Sequence, residues 1–287
     1  TAPYRALPPE LLYLDEGAPM PYSLQWVAAD VLGGKLYVVG GHNGGTRNVV
    51  SVYDPATNTW SAGPPMSVAR NAPAAGVVGT SLYVVGGNQS VPPTPLDVLE
   101  ILSFPVSGTI TTTTWTAANS PYRVTGTITV PTGNTLTIEP GVDVLFDADV
   151  QFVVQGSLHA VGTETDSIRF LKGLATDWRG IRISGGDSST IAYARISGAN
   201  AQGVEPDIRG GGLYVSGGGT RAGVSHSVVS GNTAAGAGGG VATWDGANLA
   251  MANCVVSDNT ALGECGGVKT WSGTTAMENC EISGNVA

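Results

Sequence analysis

Asp187, Arg195, Asp207 and Arg209 are carboxylates and guanidinium groups, side chains that could supply acid, base or anion-holding chemistry. Hydrolysis of a glycosidic bond needs two carboxylates roughly 5–9.5 Å apart, and Asp187 and Asp207 are a pair that neighbouring chain layers could bring together. Elimination from an acidic sugar needs a base, for which Arg195 and Arg209 are candidates. Asp177, Arg179, Arg182 and Glu205 extend this set, but no motif ties any of these residues together, and charges at outward positions are ordinarily solvated. Trp244 and Trp271 offer flat apolar faces of the sort that stack on sugar rings; the plainer alternative is that each caps a core corner. Asp143, Asp147 and Asp149 could gather oxygen ligands for calcium, or simply line an outer face and turn. No other cofactor is indicated. His42, His159 and His226 lie far apart, whereas structural zinc needs about four convergent ligands. Cys254, Cys265 and Cys280 have no histidine at a spacing that would make one of them a nucleophile. The glycine runs 210–212 and 217–219 lack the Lys-Ser/Thr sequel of a phosphate loop.

What must position these residues is a repetitive chain. Charged residues are 12 % of the 287, about half the usual quarter, and glycine accounts for 42 positions. Few charges and many small residues suit short strands and tight turns, and no stretch carries helix formers at a helical period. The net charge of −9 argues against a nucleic-acid partner. The longest apolar runs are strand length, far short of the ~20 residues a membrane helix needs.

Two internal periods divide the chain. The first is 46 residues: Leu36-Tyr-Val-Val-Gly-Gly41 returns as Leu82-Tyr-Val-Val-Gly-Gly87, and Pro19-Met20 as Pro65-Met66. Between them lie Tyr53, Asp54-Pro55 and Trp60. Gly40, Gly41, Tyr53 and Trp60 resemble, in order, the signature of kelch repeats, and that resemblance implies four-stranded propeller blades. The second unit keeps Gly86 and Gly87 but has Leu99 and Val106 where Tyr53 and Trp60 would recur. Fewer than three blades can be counted, and a propeller ring needs 4–8. Some kelch propellers are copper-radical oxidases that use a Cys–Tyr crosslink; with no cysteine before position 254, these blades cannot supply one.

The second period is 26–27. Val228-Val-Ser-Gly-Asn232 becomes Val255-Val-Ser-Asp-Asn259 and then Glu281-Ile-Ser-Gly-Asn285; Gly239-Gly-Val-Ala-Thr-Trp244 becomes Gly266-Gly-Val-Lys-Thr-Trp271. A repeat this short cannot bury its own apolar face, so coils must stack, with equivalent residues in columns about 4.8 Å apart. Val229, Val256 and Ile282 should form an inward column, and Asn232, Asn259 and Asn285 a turn ladder. Cys254 and Cys280 should lie one above the other, as a disulfide or as two buried thiols. Upstream, Thr114-Trp-Thr116, Ser120-Pro-Tyr122 and the segments 124–130, 136–141, 156–162 and 178–183 resemble the opening coils of bacterial right-handed parallel β-helix proteins.

The expected architecture is therefore all-β: incomplete kelch-type propeller blades over 1–104, and a right-handed parallel β-helix over 105–287, truncated at its C-terminus. The β-helix resemblance includes polysaccharide lyases and glycoside hydrolases. Because no reactive set converges, the first reading is a secreted or cell-surface, non-catalytic scaffold that binds a polysaccharide or a cell-surface protein. A carbohydrate-active enzyme with a cleft near 177–209, and a purely structural stalk, are the alternatives.

Overall fold

The computed structural model describes residues 16–78, 80–90, 92–103, 105–174, 177–185 and 188–287. The backbone separates into two compact units, Thr1–Leu102 and Ser103–Ala287. The described residues contain no α-helix, and no helix is long and apolar enough to cross a membrane.

In the N-terminal unit, β1 (Ala28–Leu32), β2 (Lys35–Val39), β3 (Val50–Asp54) and β4 (Thr59–Ala62) form a four-stranded antiparallel sheet in sequence order. The double glycine ends β2. Gly40 and Gly41 have φ of 68° and 103°, and a Cβ on Gly40 would lie 2.5 Å from the Arg70 carbonyl oxygen. Only glycine tolerates both the backbone angle and the approach. Tyr53 pairs with Trp60 across β3 and β4, their ring centres 5.2 Å apart. A second sheet holds β5 (Ala74–Val78), β6 (Ser81–Val85) and β7 (Leu99–Ser103) in order. Leu99, at the position of Tyr53, is exposed on β7. Val106, at the position of Trp60, instead begins the strand Val106–Thr109, which runs parallel to Tyr122–Val130 in the second unit. The missing aromatics and the missing fourth strand thus go together.

The C-terminal unit is built from parallel pairings. Its strands stack in four ladders, the shortest of which holds the two-residue strands Asn200–Ala201, Thr233–Ala234 and Thr260–Ala261. One passes through Asp143–Phe146, Ile168–Lys172, Ala194–Ser197, Val228–Ser230, Val255–Ser257 and Glu281–Ser283. A second passes through Phe152–Val154, Ile181–Ile183, Leu213–Ser216, Val241–Trp244 and Val268–Trp271. The nine-residue strand Tyr122–Val130 starts both, its first residues pairing with one ladder and its last with the other. The third runs through Thr135–Ile138, Ser157–Val161, Ser188–Ala192, Arg221–Ser225, Asn248–Ala252 and Thr274–Glu278.

Alternation turns every second side chain inward. Val144, Phe170, Ile196, Val229, Val256 and Ile282 are partners in successive layers, so the expected aliphatic column exists and begins earlier than the clear repeats. All but Ile282 are fully buried. At about 1.5–3 kcal/mol per buried side chain, such columns supply the main stabilisation. Larger rings fill the first coils: Phe146 and Trp178 stack at 3.9 Å, and the Trp178 indole N–H donates to the Ser197 carbonyl at 3.2 Å.

The turn after the first ladder explains the Ser-Gly/Asp-Asn motif. Gly198, Gly231, Asp258 and Gly284 all have φ between 56° and 73°, a left-handed region that favours Gly, Asn and Asp. The following asparagines form the expected ladder. The Asn232 backbone N–H and Nδ2 both donate to Asn259 Oδ1 at 3.0 Å, and Asn259 repeats this on Asn285 Oδ1. Asn232 and Asn259 are buried, and their amides also donate to the Ile196 and Val229 carbonyls.

Candidate functional site

Six of the residues named from sequence, Arg182, Glu205, Asp207, Arg209, Trp244 and Trp271, meet on one face of the C-terminal unit. In the second ladder Arg182, Tyr214, Ala242 and Lys269 are successive partners, and Ser216, Trp244 and Trp271 form the next column. Inward neighbours such as Ile181, Leu213 and Val241 are fully buried, which turns these side chains outward. Trp244 and Trp271 stack with centroids 5.8 Å apart and planes 19° from parallel. Trp271 is 59 % exposed.

The excursion between 202 and 210 lies against this face. Arg182 Nη2 donates to the Pro206 carbonyl at 2.6 Å and Nη1 to the Arg209 carbonyl at 3.1 Å, while Asp207 approaches Arg182 Nε at 3.4 Å. The Arg182 guanidinium also lies 4.6 Å from the Tyr214 ring centre. Burial pushes the Arg182 guanidinium below its ordinary value, and the Asp207 carboxylate opposes that shift. Arg209 bonds Glu205 at 2.8 Å and covers Trp244. Lys269 bonds Glu264 at 2.6 Å and lies 5.7 Å from the Trp271 ring centre. The face is thus an alternation of aromatic rings and cations, with the nearby carboxylates Asp207, Glu205 and Glu264 each held by its own cation. It offers stacking surface and hydrogen-bond donors.

Arg195 lies elsewhere. It belongs to the first ladder, between Arg169 and Val228, in an open groove of about 650 Å³ with Glu164, Tyr193, His226 and Asn253. It therefore does not join Asp207 and Arg209. Asp187 falls outside the described residues. Sequence reasoning missed the corner beside Arg195. Tyr193 and His226 stack at 4.6 Å, both with φ near 50°, and Asn253 and Asn279 repeat that conformation in the next two coils. The two asparagines were the available signal, since Asn tolerates this region while Tyr rarely adopts it.

The three calcium candidates each face an arginine. Asp143 pairs with Arg169, Asp147 with Arg123, and Asp149 with Arg179, each through two guanidinium nitrogens. The Arg179 hydrogen bonds hold the Asp149 carboxyl below the usual carboxylate range, and the Asp149 carboxylate raises Arg179 in return. Among the described residues no three His, Cys, Asp or Glu side chains gather as a metal site. Cys254 is buried, Cys280 half-buried and Cys265 exposed, all as free thiols.

The N-terminal unit holds a feature its sequence did not announce. Arg70 is fully buried and ion-paired with Glu100 on β7. It donates to the Gly86 carbonyl at 3.2 Å and the Val98 carbonyl at 3.0 Å, while Glu100 accepts the backbone N–H groups of Ser67 and Val68. Arg70 thus fastens the segment after the first sheet to the second. Residues 27–67 match the Kelch motif. That match takes in Gly40, Gly41, Tyr53 and Trp60, the residues that carry the resemblance in the sequence. Among solved structures, YjhT is similar at 26 % identity over 26 % of this chain, with a TM-score of 0.25. The similarity spans 24 % of YjhT. No curated protein matches the sequence.

Proposed function

We propose that this chain is an exported, non-catalytic recognition scaffold, in which incomplete kelch propeller blades over 1–104 precede a right-handed parallel β-helix over 105–287. On this reading the face bearing Trp244 and Trp271 binds a glycan of a cell surface. Kelch repeats generally mediate protein–protein interaction, which suits the N-terminal unit to a protein partner. One observation carries the reading. The face that gathers the sequence candidates presents stacked rings, while its carboxylates are neutralised by cations and Arg195 sits on another ladder. Stacked rings with hydrogen-bonding rims favour sugar recognition; acid–base cleavage needs two carboxylates free to exchange protons.

A glycan array read alongside a depolymerisation assay, on acidic and neutral polysaccharides with and without calcium, tests this. Retention without cleavage, lost in Trp244→Ala and Trp271→Ala, is expected. Cleavage lost in Arg195→Ala or Asp207→Ala would establish the enzyme instead. Neither binding nor cleavage would leave a structural stalk.

A further inference from the structure

Cys254 and Cys280 occupy equivalent sites in consecutive coils. Ala252 pairs with Glu278 before them and Val255 with Glu281 after them, so the two cysteines lie directly opposite. The Glu281 backbone N–H donates to the Cys254 carbonyl at 2.9 Å, fixing that alignment. In-register parallel strands are about 4.8 Å apart, inside the 4.4–6.8 Å Cα range that a disulfide spans. The two side chains also point the same way. Cys254 Sγ–H donates to the Ala252 carbonyl at 3.3 Å and Cys280 Sγ–H to the Glu278 carbonyl at 3.4 Å. Ser227, one coil earlier, makes the same bond to Ser225. The two sulfurs therefore stack along the coil axis. Burial pushes the Cys254 thiol above its ordinary value, and the adjacent Cys280 sulfur adds to that. Cys280 is the more accessible of the two.

We propose that Cys254 and Cys280 are an oxidation site that closes into a coil-to-coil disulfide on meeting a small-molecule disulfide, with Cys280 as the entry point. The Cys280 thiolate attacks one sulfur of the reagent, forming a mixed disulfide and expelling one reagent thiolate. Cys254 then gives up its proton and attacks Cys280 Sγ, forming the Cys254–Cys280 bond and expelling the second thiolate. Two electrons pass from the cysteines to the reagent, and the two released thiolates take up the two protons. The bond ties neighbouring coils and closes a 26-residue loop in the unfolded chain, which restricts the unfolded state. Cys265 stands apart as an exposed thiol.

The test is oxidation of the folded full-length chain with glutathione disulfide, in the wild type and in Cys265→Ser, followed by alkylation and peptide mass mapping. The expected product is lighter by two hydrogens, carries no glutathione at these sites, and yields one linked peptide pair containing Cys254 and Cys280. Its unfolding midpoint should rise by several degrees and return on reduction with dithiothreitol. Persistence of both thiols, a glutathione adduct retained on Cys280, or chains linked to one another through either residue would each overturn the proposal.

Discussion

The guanidinium carbon of Arg209 lies 3.8 Å from the centre of the Trp244 ring, while Glu205 holds Arg209 from the other side. One face of the indole is therefore shielded by a cation from the same chain. Arg209→Ala should uncover that face, and acrylamide quenching of tryptophan fluorescence should increase. The stability change should stay near 1 kcal/mol, since exposed ion pairs and cation–π contacts each contribute about that or less. Unchanged quenching would mean that Arg209 does not cover the ring in solution.

Asn259 joins three coils. Its Oδ1 accepts two N–H groups of Asn232, and its Nδ2 donates to the Val229 carbonyl and to Asn285. Asn259→Ala removes the acceptor of the buried Asn232 backbone N–H and the side-chain donor to the Val229 carbonyl, at about 1–3 kcal/mol each, and weakens the bonds to Asn232 Nδ2 and Asn285. Urea titration should show a loss of at least about 3 kcal/mol, against less than about 1 kcal/mol for Thr274→Ala on an exposed strand position.

In the N-terminal unit Arg70 is the buried ion. Arg70→Met keeps much of the volume but strands the Glu100 carboxylate, and breaking one side of a buried pair costs about 3–5 kcal/mol. The double variant Arg70→Met with Glu100→Gln should recover part of that loss. No recovery would show that the hydrogen bonds to the Gly86 and Val98 carbonyls, rather than the ion pair, hold the segment.

Glu100 also sets a pH dependence. Burial works against its ionisation, but the Ser67 and Val68 amides and the Arg70 guanidinium outweigh burial and hold its carboxyl below the ordinary value. A folded-state value below the unfolded one gives stability that is fully present above the unfolded value, about 4.3, and is lost as pH falls through the folded value. The unfolding midpoint of the kelch-bearing unit should therefore fall on acidification from pH 7 to about 3. In Glu100→Gln that fall should be shallower.

Repetition made part of this molecule readable. Val229, Val256 and Ile282, and the three asparagines, recur at intervals of 26–27 residues, and short units with that pattern gain an interior only by stacking. Where the period fails, the sequence says less. Ala194 and Ser227 are equivalent residues 33 apart, because the coil between them carries the 202–210 excursion. That insertion brings Asp207 and Arg209 to the face of Arg182 and leaves Arg195 on another ladder. Arg70 and Glu100 are 30 residues apart, in a stretch where the second kelch unit departs from its pattern. Tyr193 hides a left-handed corner behind a residue type that seldom adopts it.

The asparagine ladder also determines which changes of length the C-terminal unit can absorb. Asn232 and Asn259 are 27 residues apart and make the same contacts, so excising one whole interval would put each surviving side chain where its predecessor stood. Removing a single residue within a strand would swap interior for exterior along that segment. Within the strands, gain or loss of material is therefore quantised in complete layers, while extra residues enter at the turns, as the 202–210 excursion does.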